Sequence, residues 1–168
     1  VVALAGGRAG PVDAAAFEAA LCDAAQELAR AIARDGEGAT KLIEITVDEA
    51  PSAEAALAIA KAVVNSPLVK TAIHGADPNW GRFVMAVGKV FAHPVPLENL
   101  RIAFALPGGP LTITAAGQSE EVLGRISTYL AGDTVRITLS LGQGSHAETV
   151  WGCDLSAEYV RVNAEYTT

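Results

Sequence analysis

The stretch Ser66–Arg82, SPLVKTAIHGADPNWGR, gathers the side chains that are best suited to chemistry. A lysine, a histidine, a carboxylate, an indole and a guanidinium stand close together there, in a chain built mostly of small apolar residues. The serine before Pro67 is typical of a helix start, Gly75 is typical of a helix end, and a second helix is predicted after the turn. A polar ligand site at the start of that second helix is one interpretation. The other is a simple turn in which Asp77 caps the second helix and pairs with Arg82, and spacing leaves both open.

Lys70 and His74 are four residues apart, so they are predicted to share one side of the first helix. The three histidines, His74, His93 and His146, do not have the spacing of a metal site. We therefore interpret all three as structural or exposed residues.

Glu37 stands between two glycines, at the predicted join of a long helix and a strand. Flanking glycines let a backbone come close to a ligand, so this carboxylate could present both oxygens to an ammonium group. Spacing alone favours the simpler interpretation, a solvated glutamate in a turn.

Three stretches resemble the ornithine acetyltransferase family, also called glutamate N-acetyltransferase. They are SPLVKTA with GADPNWGR, then DGEGATK at residues 35–41, and the closing LSAEYVRVNAEYTT. The stretches lie in the family's order and span most of the 168 residues. The resemblance implies the C-terminal part of the β chain of an enzyme with an N-terminal-nucleophile-like, two-chain fold.

The same resemblance implies an activity in arginine biosynthesis. Such an enzyme moves an acetyl group from N-acetylornithine to glutamate through an acetyl-threonine intermediate. The reaction needs no cofactor or metal. In some members acetyl-CoA is also a donor. The precursor cleaves itself, and the nucleophile is the first residue of the new chain. The implied partners are the α chain and the remainder of the same precursor, in a heterotetramer of two α and two β chains, together with the amino-acid substrates.

Residue by residue, the resemblance assigns substrate binding to Glu37, Asn163 and Thr168. An amide offers a donor and an acceptor, and a terminal threonine adds a hydroxyl and a carboxylate, so Asn163 and Thr168 could hold the charged groups of an amino acid. No residue matches the nucleophile, and the family's threonine–glycine oxyanion pair is absent. Thr40 follows an alanine, as the nucleophile does, but it lies inside the substrate-binding motif. We predict no catalytic, cofactor or metal residue here, and an inactive chain when it is alone.

The composition limits the partners of the chain. The net charge is −7 and the basic residues are scattered, which argues against a nucleic-acid partner. No apolar run is long enough to cross a bilayer, so no membrane partner is predicted. The N-terminus has no basic start ahead of an apolar core, and a targeting segment could have been lost with a missing start. Cys22 and Cys153 are interpreted as reduced, half-buried thiols, which is typical of the cytoplasm. The chain begins without Met, and we expect a fragment or a processed product.

Periodicity predicts an α/β (α+β) chain with helices packed on mixed sheets. Helices are predicted from Asp13 to Arg34, Ser52 to Val64 and Glu120 to Leu130, and a last helix is predicted to start at Asp154 or Ser156. Strands are predicted at Val1–Ala5, Lys41–Val47, Ile102–Leu106, Leu111–Ala115, Val135–Leu141 and Ala147–Cys153. Two of the helices have predicted inward faces. These faces are Phe17, Leu21, Leu28 and Ile32, which should pack on a sheet, and Leu155, Tyr159 and Val162.

The prolines at residues 94 and 96 predict a boundary between two lobes, because proline removes a backbone donor and restricts the residue before it. Residues 1–92 form a predicted helix-rich α/β lobe that carries the EGATK and DPNWGR motifs. Residues 93–168 form a predicted smaller, strand-rich lobe that ends in the C-terminal substrate-binding segment.

Two other functions fit the same residues. An aminopeptidase of similar fold would share the nucleophile and its cleavage, and an assay for hydrolysis of amino-terminal amides separates it from the transferase. An amino-acid-binding or regulatory module without the catalytic half is the other alternative. An Ala-Thr-Met-Leu-like cleavage site upstream of Val1 would indicate the enzyme.

Overall fold

The computed structural model describes residues 6–8 and 10–165 of the chain. Its elements are α1 (Ala14–Arg34), β1 (Leu42–Ala50), α2 (Ala53–Val64), α3 (Pro67–His74), α4 (Trp80–Gly88), β2 (Arg101–Phe104), β3 (Leu111–Ile113), α5 (Glu120–Leu130), β4 (Thr134–Ser140), β5 (His146–Cys153) and α6 (Ala157–Glu165). The strands form one mixed sheet in the order β3-β2-β4-β1-β5. The predicted α/β class with helices on a mixed sheet is therefore confirmed, while the strand predicted at Val1–Ala5 lies outside the described residues.

β1 lies between β4 and β5, parallel to the first and antiparallel to the second. Its side chains alternate between the two faces of the sheet, as the sequence predicted. Ile43, Ile45 and Val47 are fully buried in the core that α2 covers. Glu44 and Thr46 lie half-buried on the opposite face.

The helices on the apolar face begin at the predicted caps. The Ser52 Oγ atom accepts a hydrogen bond from Ala55 N at 3.1 Å and starts α2. The Ser66 Oγ atom accepts one from Val69 N at 3.4 Å and starts α3. Both caps satisfy a backbone donor that has no partner within the helix.

Hydrophobic spacing predicts Leu68, Ala72 and Ile73 on the apolar side of α3, and Val90 or Phe91 on the inner face of α4. Leu68 is instead 45% exposed, because Val69, Ala72 and Ile73 point into the core. α4 ends at Gly88, and Phe91 is 88% exposed.

The two predicted lobes share one sheet. β1 comes from residues 1–92, yet both of its neighbours in the sheet come from residues 93–168. One hydrophobic cluster contains residues from both segments. The prolines near residue 94 therefore mark a connection across a continuous core, and the boundary between two separate lobes is not observed.

The apolar stripe of α1 is exposed, which corrects the prediction that it packs on a sheet. The helix has the predicted bounds, and Asp13 Oδ1 caps it by accepting from Ala16 N at 2.8 Å. Cys22 on this helix is exposed, where a half-buried thiol was expected. The exposed fractions of the stripe are 57% for Phe17, 48% for Leu21, 56% for Leu28 and 75% for Ile32.

Polar contacts attach α1 to the sheet. The Arg30 guanidinium lies 4.7 Å from the centre of the Trp151 ring, and Trp151 Nε1 donates to Glu44 Oε2 at 2.7 Å. Arg34 donates to Asp133 and Thr134 at 3.1 Å each. Periodicity identified an apolar stripe correctly, but the sheet face nearest to it is polar.

The described residues contain no single helix that is long and apolar enough to cross a membrane. α2 and α3 are long and apolar enough only when they are taken together, and a bend of 58° separates them.

We expect Phe83→Ala to lower the free energy of unfolding by about 3–5 kcal/mol, because truncating a buried aromatic residue leaves a cavity. Phe83 is fully buried and packs edge-to-face on Phe104, with 6.1 Å between the ring centres. Phe91→Ala is the matched control, and it should stay within about 0.5 kcal/mol of the unaltered protein. Urea unfolding measures both variants, and equal losses would show that the assigned core is wrong.

Candidate functional site

The connection between α1 and β1 forms a fixed loop, Gly36–Thr40, which we call the Glu37 loop. The end of β5 and the start of α6 hold it from two directions. A Cβ atom at Gly36 would lie 2.6 Å from Cys153 Sγ, so a side chain there would displace the thiol. Gly38 has a φ of +66°, and a Cβ atom there would overlap the backbone nitrogen of Tyr159. Glycine is therefore required at Gly38 by both its backbone conformation and its packing.

A buried carboxylate anchors the end of the same loop. The Asp154 side chain has no exposed surface and accepts four hydrogen bonds. Thr40 supplies two of them, from its N–H group at 2.8 Å and from its hydroxyl at 2.5 Å. Lys41 N donates at 2.9 Å, and His74 Nδ1 lies 2.7 Å from Asp154 Oδ2. The carboxylate thus joins the loop to the end of α3.

These contacts decide the ionisation of the buried group. Burial by itself raises the pKa of Asp154, but the hydrogen bonds from Thr40, His74 and the Lys41 N–H group outweigh it. The pKa of Asp154 therefore lies below its ordinary value, and the group is a carboxylate at neutral pH.

Lys41 joins the loop to two helix ends. Its Nζ atom donates to Ile73 O at 2.7 Å, to His74 O at 3.1 Å and to Leu130 O at 2.7 Å. These are carbonyl groups at the C-termini of α3 and α5, which lack partners within their helices. Burial lowers the pKa of Lys41, and the charge of Asp154 acts in the opposite direction. All three ammonium donors are used, so this lysine is structural.

Thr40, His74 and Asp154 superficially resemble a nucleophile with its base and carboxylate. In such a triad the hydroxyl donates to the histidine, and the carboxylate binds the other ring nitrogen. Here the Thr40 hydroxyl is 2.5 Å from Asp154 Oδ2 but 3.5 Å from His74 Nδ1, and that same ring nitrogen faces the carboxylate. The arrangement stabilises the loop and does not activate Thr40.

The structure brings two of the predicted substrate-binding segments together. Glu37 is exposed and makes no hydrogen bond or ion pair with another described residue. Ser156 Oγ donates to Gly38 O at 2.5 Å, which places the loop against the start of α6. Asn163 lies further along α6, exposed, with its Nδ2 atom donating to Tyr159 O at 2.9 Å. Thr168 lies outside the described residues, so its role stays a prediction.

The last helix is less buried than predicted. Tyr159 is 42% exposed, and α6 has no buried residue among those described. Leu155 and Val162 are half-buried. The helix is therefore held mainly through its first turn, where Ser156 Oγ also accepts from Tyr159 N at 3.0 Å.

The elbow between α3 and α4 is accounted for by structural contacts. Arg82 Nη1 donates to Leu68 O at 2.9 Å and to Thr71 Oγ1 at 3.0 Å, which ties α4 to α3. Arg82 also pairs with Asp77 at 3.5 Å, as the turn interpretation predicted. Asn79, and not Asp77, occupies the cap position of α4, without a side-chain cap.

Sequence reasoning missed the two central residues, Asp154 and Lys41. It treated Asp154 only as a possible helix start, and it gave Lys41 no function. Asp154 lies 114 residues from Thr40, so no local spacing could have revealed their contact. The described residues contain no cluster of three His, Cys, Asp or Glu side chains arranged for a metal ion.

The fold and the site together define an α/β protein in which an acidic loop is clamped beside a mixed sheet by a buried carboxylate. The chain belongs to the ArgJ family, whose family model matches residues 1–168. The resemblance drawn from the three motifs is confirmed at the level of the family.

Curated relatives are similar over nearly the whole chain. The arginine biosynthesis bifunctional protein ArgJ of Rhodococcoides fascians is 45% identical over 164 residues, which are 98% of this chain and 40% of that protein. The glutamate N-acetyltransferase of Methanosarcina acetivorans is 46% identical over 154 residues, 90% of this chain and 39% of that protein. The chain thus spans about 40% of the length of such relatives.

A solved structure has the same fold. It is the crystal structure of the arginine biosynthesis bifunctional protein ArgJ from Bacillus halodurans, with a TM-score of 0.77 and 43% identity. The match covers 97% of this chain and 74% of that one.

We expect Asp154→Asn to lower the free energy of unfolding at pH 7 by about 1–3 kcal/mol, because it leaves buried donors without their acceptor. Folding lowers the pKa of Asp154 below the value of about 3.9 in unfolded chains. The stability gained from the carboxylate is therefore complete above about pH 4 and is lost as the pH falls through the folded-state value. In the variant, the free energy of unfolding should therefore fall less steeply as the pH is lowered. Urea unfolding from about pH 3 to about pH 7 measures this dependence.

Asp133→Asn is the control for this experiment. Its carboxylate is 77% exposed and pairs with Arg34 at the surface, so the change should stay within about 0.5 kcal/mol. If the free energy of unfolding falls as steeply with decreasing pH in Asp154→Asn as in the unaltered protein, the assigned role of Asp154 is wrong.

Proposed function

We propose that this chain is the C-terminal part of the β chain of an ornithine acetyltransferase, which transfers the acetyl group of N-acetylornithine to glutamate in arginine biosynthesis. The observation that carries the proposal is the exposed carboxylate of Glu37, held in a clamped loop of a chain that belongs to this family. The names of the similar proteins support the same activity.

Glu37 is proposed to bind an ammonium group of the amino-acid substrate. Its neighbours in the loop are fixed by Cys153, Ser156 and Asp154, so the side chain is presented from a rigid support. It has no cationic partner among the described residues, which leaves its charge available to a ligand. Asn163 is proposed to contribute its amide from α6, and Thr168 its hydroxyl.

The acetyl transfer itself is proposed to occur on a threonine outside this chain. That hydroxyl attacks the acetyl carbonyl of N-acetylornithine and releases ornithine, and the acetyl-threonine then passes its acetyl group to the amine of glutamate. This route needs no metal or cofactor. Whether acetyl-CoA is also a donor is a separate property that is tested by supplying it in place of N-acetylornithine.

The exposed stripe of α1 supports a further part of the proposal, that the chain packs against the α chain and the remainder of its precursor. Neighbouring apolar side chains that are about half exposed or more are typical of a surface that another chain covers. The complete enzyme is proposed to contain two α and two β chains and to act in the cytoplasm.

We expect Glu37→Gln in the complete enzyme to raise the KM of the amino-acid substrates by roughly 10- to 100-fold, because a charge-assisted hydrogen bond contributes about 1.5–3 kcal/mol. Self-cleavage should be unaffected, since the lost charge faces the substrate. Steady-state kinetics and gel analysis of the cleaved chains measure the two effects.

Glu98→Gln is the matched control, because Glu98 is exposed and its side chain makes no hydrogen bond or ion pair with described residues. It should leave both KM values unchanged. If Glu37→Gln also leaves them unchanged, Glu37 is a solvated turn residue and this part of the proposal is wrong.

We further expect the purified chain alone to transfer no acetyl group from N-acetylornithine to glutamate. Thr40 is held by Asp154, and the proposed nucleophile is not in the chain. The complete precursor, produced in the same host, is the positive control. Turnover by the chain alone would contradict the proposal, and hydrolysis of amino-terminal amides by the complete protein would favour an aminopeptidase instead.

A further inference from the structure

A cavity of about 360 Å³ adjoins the Glu37 loop. It lies between the second half of α1, the end of α2, α3 and the end of β5, and Gly36 forms part of its wall. Most of its other lining residues are apolar, such as Ile32 and Val64. Lys70 is the only charged residue among the described residues that line it.

Lys70 differs from Lys41 in how its ammonium group is used. Lys41 donates to three carbonyl groups, whereas the one side-chain partner of Lys70 within the described residues is Cys153 Sγ, at 3.9 Å. A thiol is a weak acceptor. Lys70 makes no ion pair with a described carboxylate, although it is half-buried. Its charge is thus partly removed from water without a matching anion.

A half-buried ammonium group in a largely apolar cavity favours a small anion with an apolar body. A carboxylate fits this description, because it accepts charge-assisted hydrogen bonds from an ammonium group. Gly36 lines the cavity, and the next residue, Glu37, follows at about 3.8 Å between Cα atoms. The cavity wall thus contains one cation, Lys70, and the residue that directly precedes the acidic Glu37.

We propose that Lys70 binds the α-carboxylate of the amino-acid substrate in this cavity, while Glu37 binds an ammonium group. The inference rests on the proposed function, since both N-acetylornithine and glutamate carry an α-carboxylate beside the nitrogen that holds or receives the acetyl group. One lysine could then orient donor and acceptor in the same way.

The first test is Lys70→Met in the complete enzyme, with Lys61→Met as the control, because Lys61 is exposed on α2 outside the cavity. We expect KM for glutamate and for N-acetylornithine to rise by roughly 10- to 100-fold in Lys70→Met alone. The unaltered enzyme should prefer glutamate to its α-amide, and Lys70→Met should lose that preference, which a merely structural role would not change.

The outcomes separate the two proposals. If the unaltered enzyme transfers acetyl groups but Lys70→Met keeps its preference for glutamate over the α-amide, the role of Lys70 is wrong and the proposed function stands. If the unaltered enzyme does not transfer acetyl groups at all, both are overturned.

A second measurement serves if Lys70→Met does not fold. Cys153 lies in the cavity, and Cys22 is exposed on α1, so one protein contains both a probe and an internal standard. We expect glutamate to slow the alkylation of Cys153 by iodoacetamide in the unaltered enzyme and to leave Cys22 unchanged. Peptide mass spectrometry measures both rates. Equal rates for Cys153 with glutamate and with its α-amide would overturn the inference.

Discussion

The position of the candidate site depends on the buried carboxylate of Asp154. An ionised group without exposed surface is costly unless donors satisfy it, and Asp154 has four, from Thr40, Lys41 and His74. These donors belong to the segment just before β1 and to the end of α3, while the carboxylate follows β5. If any of the three segments moved, a buried charge would lose its partners. This cost holds the Glu37 loop in one place relative to α6.

Charges with complete sets of partners support the fold, and charges without them are available to ligands. Lys41 has all of its donors occupied by helix-end carbonyls, and Asp154 has its oxygens occupied by donors. Glu37 and Lys70 stand beside them without a described carboxylate or ammonium partner. These two opposite charges are the groups that we propose to bind the amino-acid substrate.

The two faces of the sheet differ in character. α2 covers an apolar face to which β1 to β4 contribute buried residues and β5 contributes the half-buried Val150. The opposite face carries Glu44, Thr46 and Trp151 and meets α1 through polar contacts. The apolar stripe of α1 is about half exposed or more. In a chain that spans about 40% of the length of its relatives, such a stripe is where further protein would be expected to pack.

The sequence by itself determined the local structure. It placed the helix caps at Asp13, Ser52 and Ser66 and the alternation of β1, because these signals depend on residues a few positions apart. It also identified the family, through motifs that are contiguous. Only the tertiary structure decided that both predicted lobes share one sheet, that the α1 stripe is exposed and that Asp154 anchors a loop 114 residues away. The physical reason is that a hydrophobic period shows which side chains are apolar but not what covers them. A buried carboxylate, likewise, finds its donors through the folded chain and not along the sequence.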